Sequence, residues 1–202
     1  MSQETEREDI KKKLLSTGIR VGTEVKTKFM TTYITQSSPD GLYLFDLDIT
    51  LSRIQTAARF IKKFDIKKVI VYSGRSYATT PIEKFCELIG AEKMLGRFMP
   101  GTLTNPSLPY YSEPHLIVIS DPQVDSQAIT EATNAGIPVI GVANTDNVTS
   151  KLDLVIPANN RGRKALATVY WLLAHGILED PGAMTYEIDD FETKTSEVEE
   201  EL

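Results

Sequence analysis

The chain predicts an α/β fold: a doubly wound parallel sheet of about five strands with helices on both faces. Three observations carry that expectation. Five short runs are continuously apolar and rich in β-branched residues, stretches of helical period alternate with them, and helix start and stop signals mark the junctions. The length of 202 residues suits one domain with a sizeable core, and 41 % apolar with 25 % charged residues is ordinary for a globular protein.

The five runs are 41–47 (GLYLFDL), 67–73 (KKVIVYS), 115–120 (HLIVIS), 137–142 (IPVIGV) and 152–157 (LDLVIP). Apolar residues at nearly every position fit strands covered on both faces, as in a parallel sheet. Over 50–64, Leu51, Ile54, Ala58 and Ile61 recur at helical steps, while Arg53, Arg59, Lys62 and Lys63 fall off that stripe. Thr80-Pro81-Ile82-Glu83 reads as a capping box with proline at the first helical position, and Gly90 as its stop. Asp121-Pro122 repeats the cap-and-proline form, with Gly136-Ile137-Pro138 as the end of that helix. A last helix over 161–178 carries Trp171. The segment 96–114 is a long excursion bearing proline and glycine, of a length that compact domains usually keep for function.

Charge is unevenly spread. Residues 179–202 hold ten acids and one lysine, a net of −9, and the first ten residues carry −3. Between them, 11–178 holds 20 basic and 14 acidic residues, a net of +6. A basic body between acidic ends suits a partner that is a polyanion. The organisation expected is a flexible acidic arm (1–11), a folded domain (12–178) and an acidic, disordered tail (179–202). No apolar run approaches membrane-spanning length, and MSQETERED is nothing like a secretion signal, so a cytoplasmic protein without a membrane partner is expected. The single Cys86 excludes an internal disulfide framework. His115 and His175, sixty residues apart, argue against a zinc site, and no metal or cofactor is expected.

One stretch tempts toward catalysis. In 43–51 (YLFDLDITL), Asp46 and Asp48 stand as the nucleophile and acid/base of a haloacid-dehalogenase-type phosphohydrolase would. Ser73 would bind the phosphoryl group, and Asp121 with Asp125 would hold Mg²⁺. Against this, Ile49 replaces the usual glycine, and the step of 27 positions from Asp46 to Ser73 leaves no room for a substrate-selecting cap. Lys84 and Lys93, the lysines on hand, belong in or beside an amphipathic helix. Helix capping explains the same residues more cheaply, with Asp48 or Thr50 capping one helix and Asp121 the next. The expectation is no enzyme and no small-molecule substrate.

The basic residues are more telling. In 156–167 (IPANNRGRKALA), Arg161, Arg163 and Lys164 crowd the start of the last helix, where each cation costs about 0.3–1 kcal/mol unless an anion faces it. Asn159, Asn160 and Gly162 allow close backbone approach, and the combination favours phosphate. Lys26 and Lys28 alternate in 22–30 (GTEVKTKFM), Arg75 follows a strand in SGRSY, and Arg97 lies in the long excursion. These seven are the expected phosphate contacts, following nucleic-acid backbone shape more than base sequence.

Assembled, these stretches resemble the small-ribosomal-subunit proteins of the universal S-two family, in particular its archaeal and eukaryotic branch that includes ribosomal protein SA. The resemblance covers roughly residues 12–178. It rests on LLSTGIRVGTEVKTKFM, DGLYLFDL, GRFMPGTLTNP, EPHLIVISDPQVDSQAITEATNAGIPVIGVANTDN, DLVIPANNRGRKAL and YWLLA, six blocks in the family's order. It implies a flavodoxin-like sandwich without catalytic activity. It further implies a protein at the head–body junction of the small subunit, near the mRNA exit, contacting small-subunit rRNA and neighbouring ribosomal proteins. Arg20 stands where the family commonly has histidine. The helical hairpin of bacterial members is absent, and the acidic tail belongs to no transferable motif.

Overall fold

The computed structural model describes residues 14–178 and 186–193. The expected N-terminal arm, and 179–185 and 194–202 of the expected tail, lie outside the described residues.

A 3-10 turn at Thr31–Tyr33 leads into an antiparallel hairpin, β1 (Ile34–Ser37) and β2 (Tyr43–Phe45). Helix α1 (Leu47–Ile61) follows, then β3 (Val69–Ser73), α2 (Thr79–Ile89) and β4 (Glu92–Leu95). After the long excursion come β5 (Leu116–Ile119), α3 (Ser126–Ala135), β6 (Val139–Ala143), β7 (Leu154–Pro157) and α4 (Arg163–Leu178). Strands β3 to β7 form one parallel sheet in the order β4-β3-β5-β6-β7. Chain order therefore reverses between β3 and β5, a flavodoxin-like arrangement with its switch point there.

Alternation along β3 sorts the two cores. Val69 and Val71 face Ile54, Ala58 and Ile61 of α1, Ile82 and Phe85 of α2, and Leu166, Val169, Tyr170 and Leu173 of α4. Ile70 and Tyr72 face Ala128, Ile129 and Ala132 of α3, together with Phe98 and Leu103 from the excursion. Each such Val, Leu, Ile or Phe side chain, taken fully from water, contributes about 1.5–3 kcal/mol. The excursion serves structure: the buried Glu131 carboxylate accepts the N–H groups of Gly101 (2.8 Å) and Leu103 (3.2 Å), pinning it as a lid on the second core.

Several expectations are corrected. The 41–47 run does not enter the parallel sheet. It is a three-residue strand, half-exposed at Tyr43 and Leu44, paired with β1. The fifth strand of the sheet is β4, whose polar sequence EKML suits an edge position bonded only to β3. Gly90 and Gly136 stop their helices as expected, at φ 79° and 72°. The starts differ. A 3-10 turn at Ser76–Ala78 leads straight into α2, and Ala78 at its N-cap makes no side-chain cap bond, so the Thr80 box does not form. Helix α3 opens at Ser126, four residues after Pro122, because the intervening turn is spent on the network described below.

Part of the expected disordered tail is ordered. Ile188–Phe191 forms a 3-10 turn against α4, with Phe191 wholly buried and the Trp171 indole N–H donating to the Tyr186 carbonyl at 3.2 Å. Thr193 is buried and its hydroxyl donates to the Tyr77 carbonyl at 2.7 Å. Ile188 and Phe191 are three apart and turn inward together, while Glu187, Asp189 and Asp190 stay in water.

Candidate nucleic-acid interface

In a parallel sheet the loops after each strand gather on one rim, where helix N-termini also point. Arg75 follows β3 and Arg97 follows β4. Arg161, Arg163 and Lys164 follow β7, the last two within the first turn of α4. Lys26 and Lys28 reach the same rim differently. The 22–30 segment lies on the loop after β6, where Thr27 N–H donates to the Thr145 carbonyl (2.8 Å) and the Thr27 hydroxyl to that of Asn147 (2.9 Å). Gly22 permits this contact, since a Cβ there would stand 2.4 Å from the Thr145 methyl and 2.8 Å from the Tyr43 carbonyl. The seven expected cations thus stand along the carboxyl-end side of the sheet, from the loop after β4 to the loop after β7.

The centre of the rim is a carboxylate network at the switch point. Asp121 is buried at the end of β5, and one of its oxygens accepts both Arg75 Nη2 (2.9 Å) and Nε (3.2 Å). Its other oxygen accepts the Gln123 N–H at 2.9 Å. Asp125, also buried, accepts the N–H groups of Gly74 (2.8 Å) and Asp121 (3.2 Å), tying the β3 loop to the β5 loop. Burial pushes the Asp125 carboxyl up to about 7, although both N–H groups and Arg75 favour its charged form. Asp121 therefore does not cap α3.

Around the network the cations are shared between structure and surface. Arg161 Nη2 pairs with Asp146 at 2.5 Å and reaches Gln123 Oε1 at 3.4 Å. Lys164 stands 3.8 Å from Glu192 of the docked C-terminal segment. Lys26 lies over the Tyr43 ring, 4.7 Å from its centroid. Lys28 and Arg97 are exposed. Asn159, rather than Asn160, shapes the turn into α4, its oxygen accepting the N–H groups of Arg161 (3.0 Å) and Gly162 (3.2 Å). Asn160 is buried and donates to the Val142 carbonyl (3.2 Å) and to Asn147 Oδ1 (3.0 Å). This clamp between the β6 and β7 loops was not foreseen, because a buried asparagine beside cations looks like any loop residue.

The phosphohydrolase alternative is overturned by the same geometry. Asp46 is the N-cap of α1, its Oδ1 accepting the N–H groups of Asp48 (2.9 Å) and Ile49 (3.2 Å). Thr50 is buried, and its hydroxyl donates to the Pro157 carbonyl at 2.8 Å. Asp121 and Asp125 are spent on backbone N–H groups and Arg75, which leaves them poorly placed to hold Mg²⁺. Asp46, not Asp48 or Thr50, does the capping.

Comparison with known proteins agrees with this non-catalytic rim. Residues 109–180 match the family model described as Ribosomal protein S2. The small ribosomal subunit protein uS2 of Nitrosopumilus maritimus is 70 % identical, the match covering 98 % of this chain and 99 % of the relative. The protein of the same name from Cenarchaeum symbiosum is 56 % identical over 90 % of each chain, and that from Thermofilum pendens 47 % identical over 89 % and 87 %. With that identity sustained from end to end, the chain belongs to the uS2 family of small ribosomal subunit proteins.

Proposed function

We propose that this chain is a structural component of the small ribosomal subunit that holds rRNA through the cationic rim and abuts neighbouring small-subunit proteins. The uS2 family is structural, not enzymatic. The single observation that carries the RNA-binding part is that Arg75, Arg97, Arg161, Arg163 and Lys164 all follow strands of the parallel sheet at its carboxyl-end rim. Arg163 and Lys164 stand in the first turn of α4, where anions are favoured, and Lys164, 65 % exposed, has Glu192 beside it at 3.8 Å. Phosphate oxygens supply such an anion regardless of base sequence, so the rim stabilises a folded RNA junction rather than reading bases. Arg97, Arg161, Arg163 and Lys164 are the principal contacts. Arg75 serves mainly to hold Asp121 and presents its remaining donors to the backbone.

The resemblance seen in the sequence supports a position at the head–body junction near the mRNA exit, ribosome-bound in the cytoplasm. Sedimentation of tagged protein from lysate tests the assignment: the chain travels with small subunits, and a free pool alone would overturn it. With purified small-subunit rRNA, log affinity falls linearly with log salt, and each lost phosphate contact lowers that slope by about 0.9. Arg97→Ala combined with Lys164→Ala reduces the slope by about 2. An unchanged slope would remove these residues from the interface.

A further inference from the structure

Three large apolar side chains stand in water at one corner of the rim. Val25, Phe29 and Val148 are 62 %, 52 % and 61 % exposed. Thr27, midway between the first two, holds the corner together through its bonds to the Thr145 and Asn147 carbonyls. Val148 follows directly on the residue whose carbonyl the Thr27 hydroxyl grips, which sets it beside the 25–29 segment. Lys26 and Lys28 alternate with them along the chain, both exposed, and Glu24 is the only acid in the 22–30 segment.

RNA backbone is a poor occupant, because phosphate oxygens reward the lysines but leave two valines and a phenylalanine in water. A second copy of this chain is opposed by charge: a two-fold contact would set Lys26 and Lys28 against the same pair on its partner. Three side chains are also too few for a broad globular contact, which takes about 800 Å² from each side. A short segment with apolar side chains flanked by carboxylates satisfies both halves of the patch.

We infer that Val25, Phe29 and Val148, framed by Lys26 and Lys28, form the docking site for a short acidic, apolar segment of a neighbouring protein. This rests on the small-subunit assignment above and moves Lys26 and Lys28 from phosphate contact to protein contact.

The test uses the full chain with a photo-crosslinking phenylalanine analogue in place of Phe29, incorporated into small subunits in cells and irradiated after purification. The crosslink from position 29 joins an acid-rich peptide of another small-subunit protein, identified by mass spectrometry. The same analogue in place of Arg97 joins rRNA. In parallel, V25S/F29S/V148S is retained at least fivefold less in salt-washed subunits, while its affinity for purified rRNA stays within twofold of the unsubstituted chain. A position-29 crosslink to rRNA, to a second copy or to this chain's own residues would overturn the inference. So would undiminished retention of the triple variant. Failure of the chain to sediment with small subunits would sink both proposals, whereas these failures in a chain that does sediment sink only this one.

Discussion

Arg75 closes on Asp121 across the switch point of the sheet, Nη2 to Oδ2 at 2.9 Å, with the arginine side chain 33 % exposed and the aspartate 1 %. The pair is asymmetric: the carboxylate has left water, while the guanidinium still touches it. Removing the arginine therefore strands a buried charge that keeps only the Gln123 N–H. Arg75→Ala is expected to lower unfolding free energy by about 2 kcal/mol, below the range for fully buried pairs because solvent screens the arginine side. Arg75→Lys recovers less than half, since an ammonium cannot place two N–H groups in a fixed fork. Urea unfolding of both variants checks the order.

Asp125 adds a pH dependence. Its carboxyl, buried between Gly74 and Asp121, titrates near 7 in the folded chain against an ordinary 3.8. Between those values the folded chain keeps a proton that the unfolded chain has lost. Stability from this group is complete below about pH 4 and declines as pH rises to about 7, at up to about 1.4 kcal/mol per unit. A carbon-13 titration of the Asp125 carboxyl should show a midpoint near 7. Arg75→Ala should raise it further, because the guanidinium favours the charged form.

The parallel sheet was legible because buried strands advertise themselves. VIVYS, LIVI and VIGVA are buried at every position. The edge strand was hidden for the opposite reason: Glu92 and Lys93 are exposed, and nothing in EKML separates a half-wet strand from a loop. Helix ends at Gly90 and Gly136 were legible because an αL residue is a backbone requirement, whereas starts were not. Thr80 and Asp121 are sound caps by type, yet tertiary contacts decide which residue caps. Cations on the rim could be named individually, but their acidic partners Asp121, Asp146 and Glu192 are distant in sequence and appear only on folding.

Asp46 provides a discriminating test of the motif that resembles a phosphatase. As an N-cap it is replaceable by asparagine, whose side-chain oxygen accepts the same N–H groups. Asp46→Asn should leave the melting temperature nearly unchanged, and Asp46→Ala should cost about 1 kcal/mol. Neither substitution changes the background rate of phosphomonoester hydrolysis, measured with p-nitrophenyl phosphate and Mg²⁺. Turnover by the unsubstituted chain that Asp46→Asn abolishes would restore the nucleophile.

Phe191 and Glu192 separate the two roles of the docked C-terminal segment. Phe191 is wholly buried, edge-on to Tyr186 at 6.4 Å between ring centroids, and packs into the core that α4 covers. Phe191→Ala should cost about 3–5 kcal/mol, the range for deleting a buried aromatic ring. Glu192 contributes little to stability, because its 3.8 Å pair with Lys164 is largely in water, the lysine side chain being 65 % exposed. Its effect falls instead on the rim, where a carboxylate beside Lys164 offsets one of the charges proposed to meet phosphate. Glu192→Gln should leave the denaturation midpoint unmoved and raise rRNA affinity at low salt. That gain should fade as ionic strength approaches 1 M and the screening length shrinks to about 3 Å. If affinity fails to rise while Phe191→Ala destabilises as expected, Lys164 makes no phosphate contact.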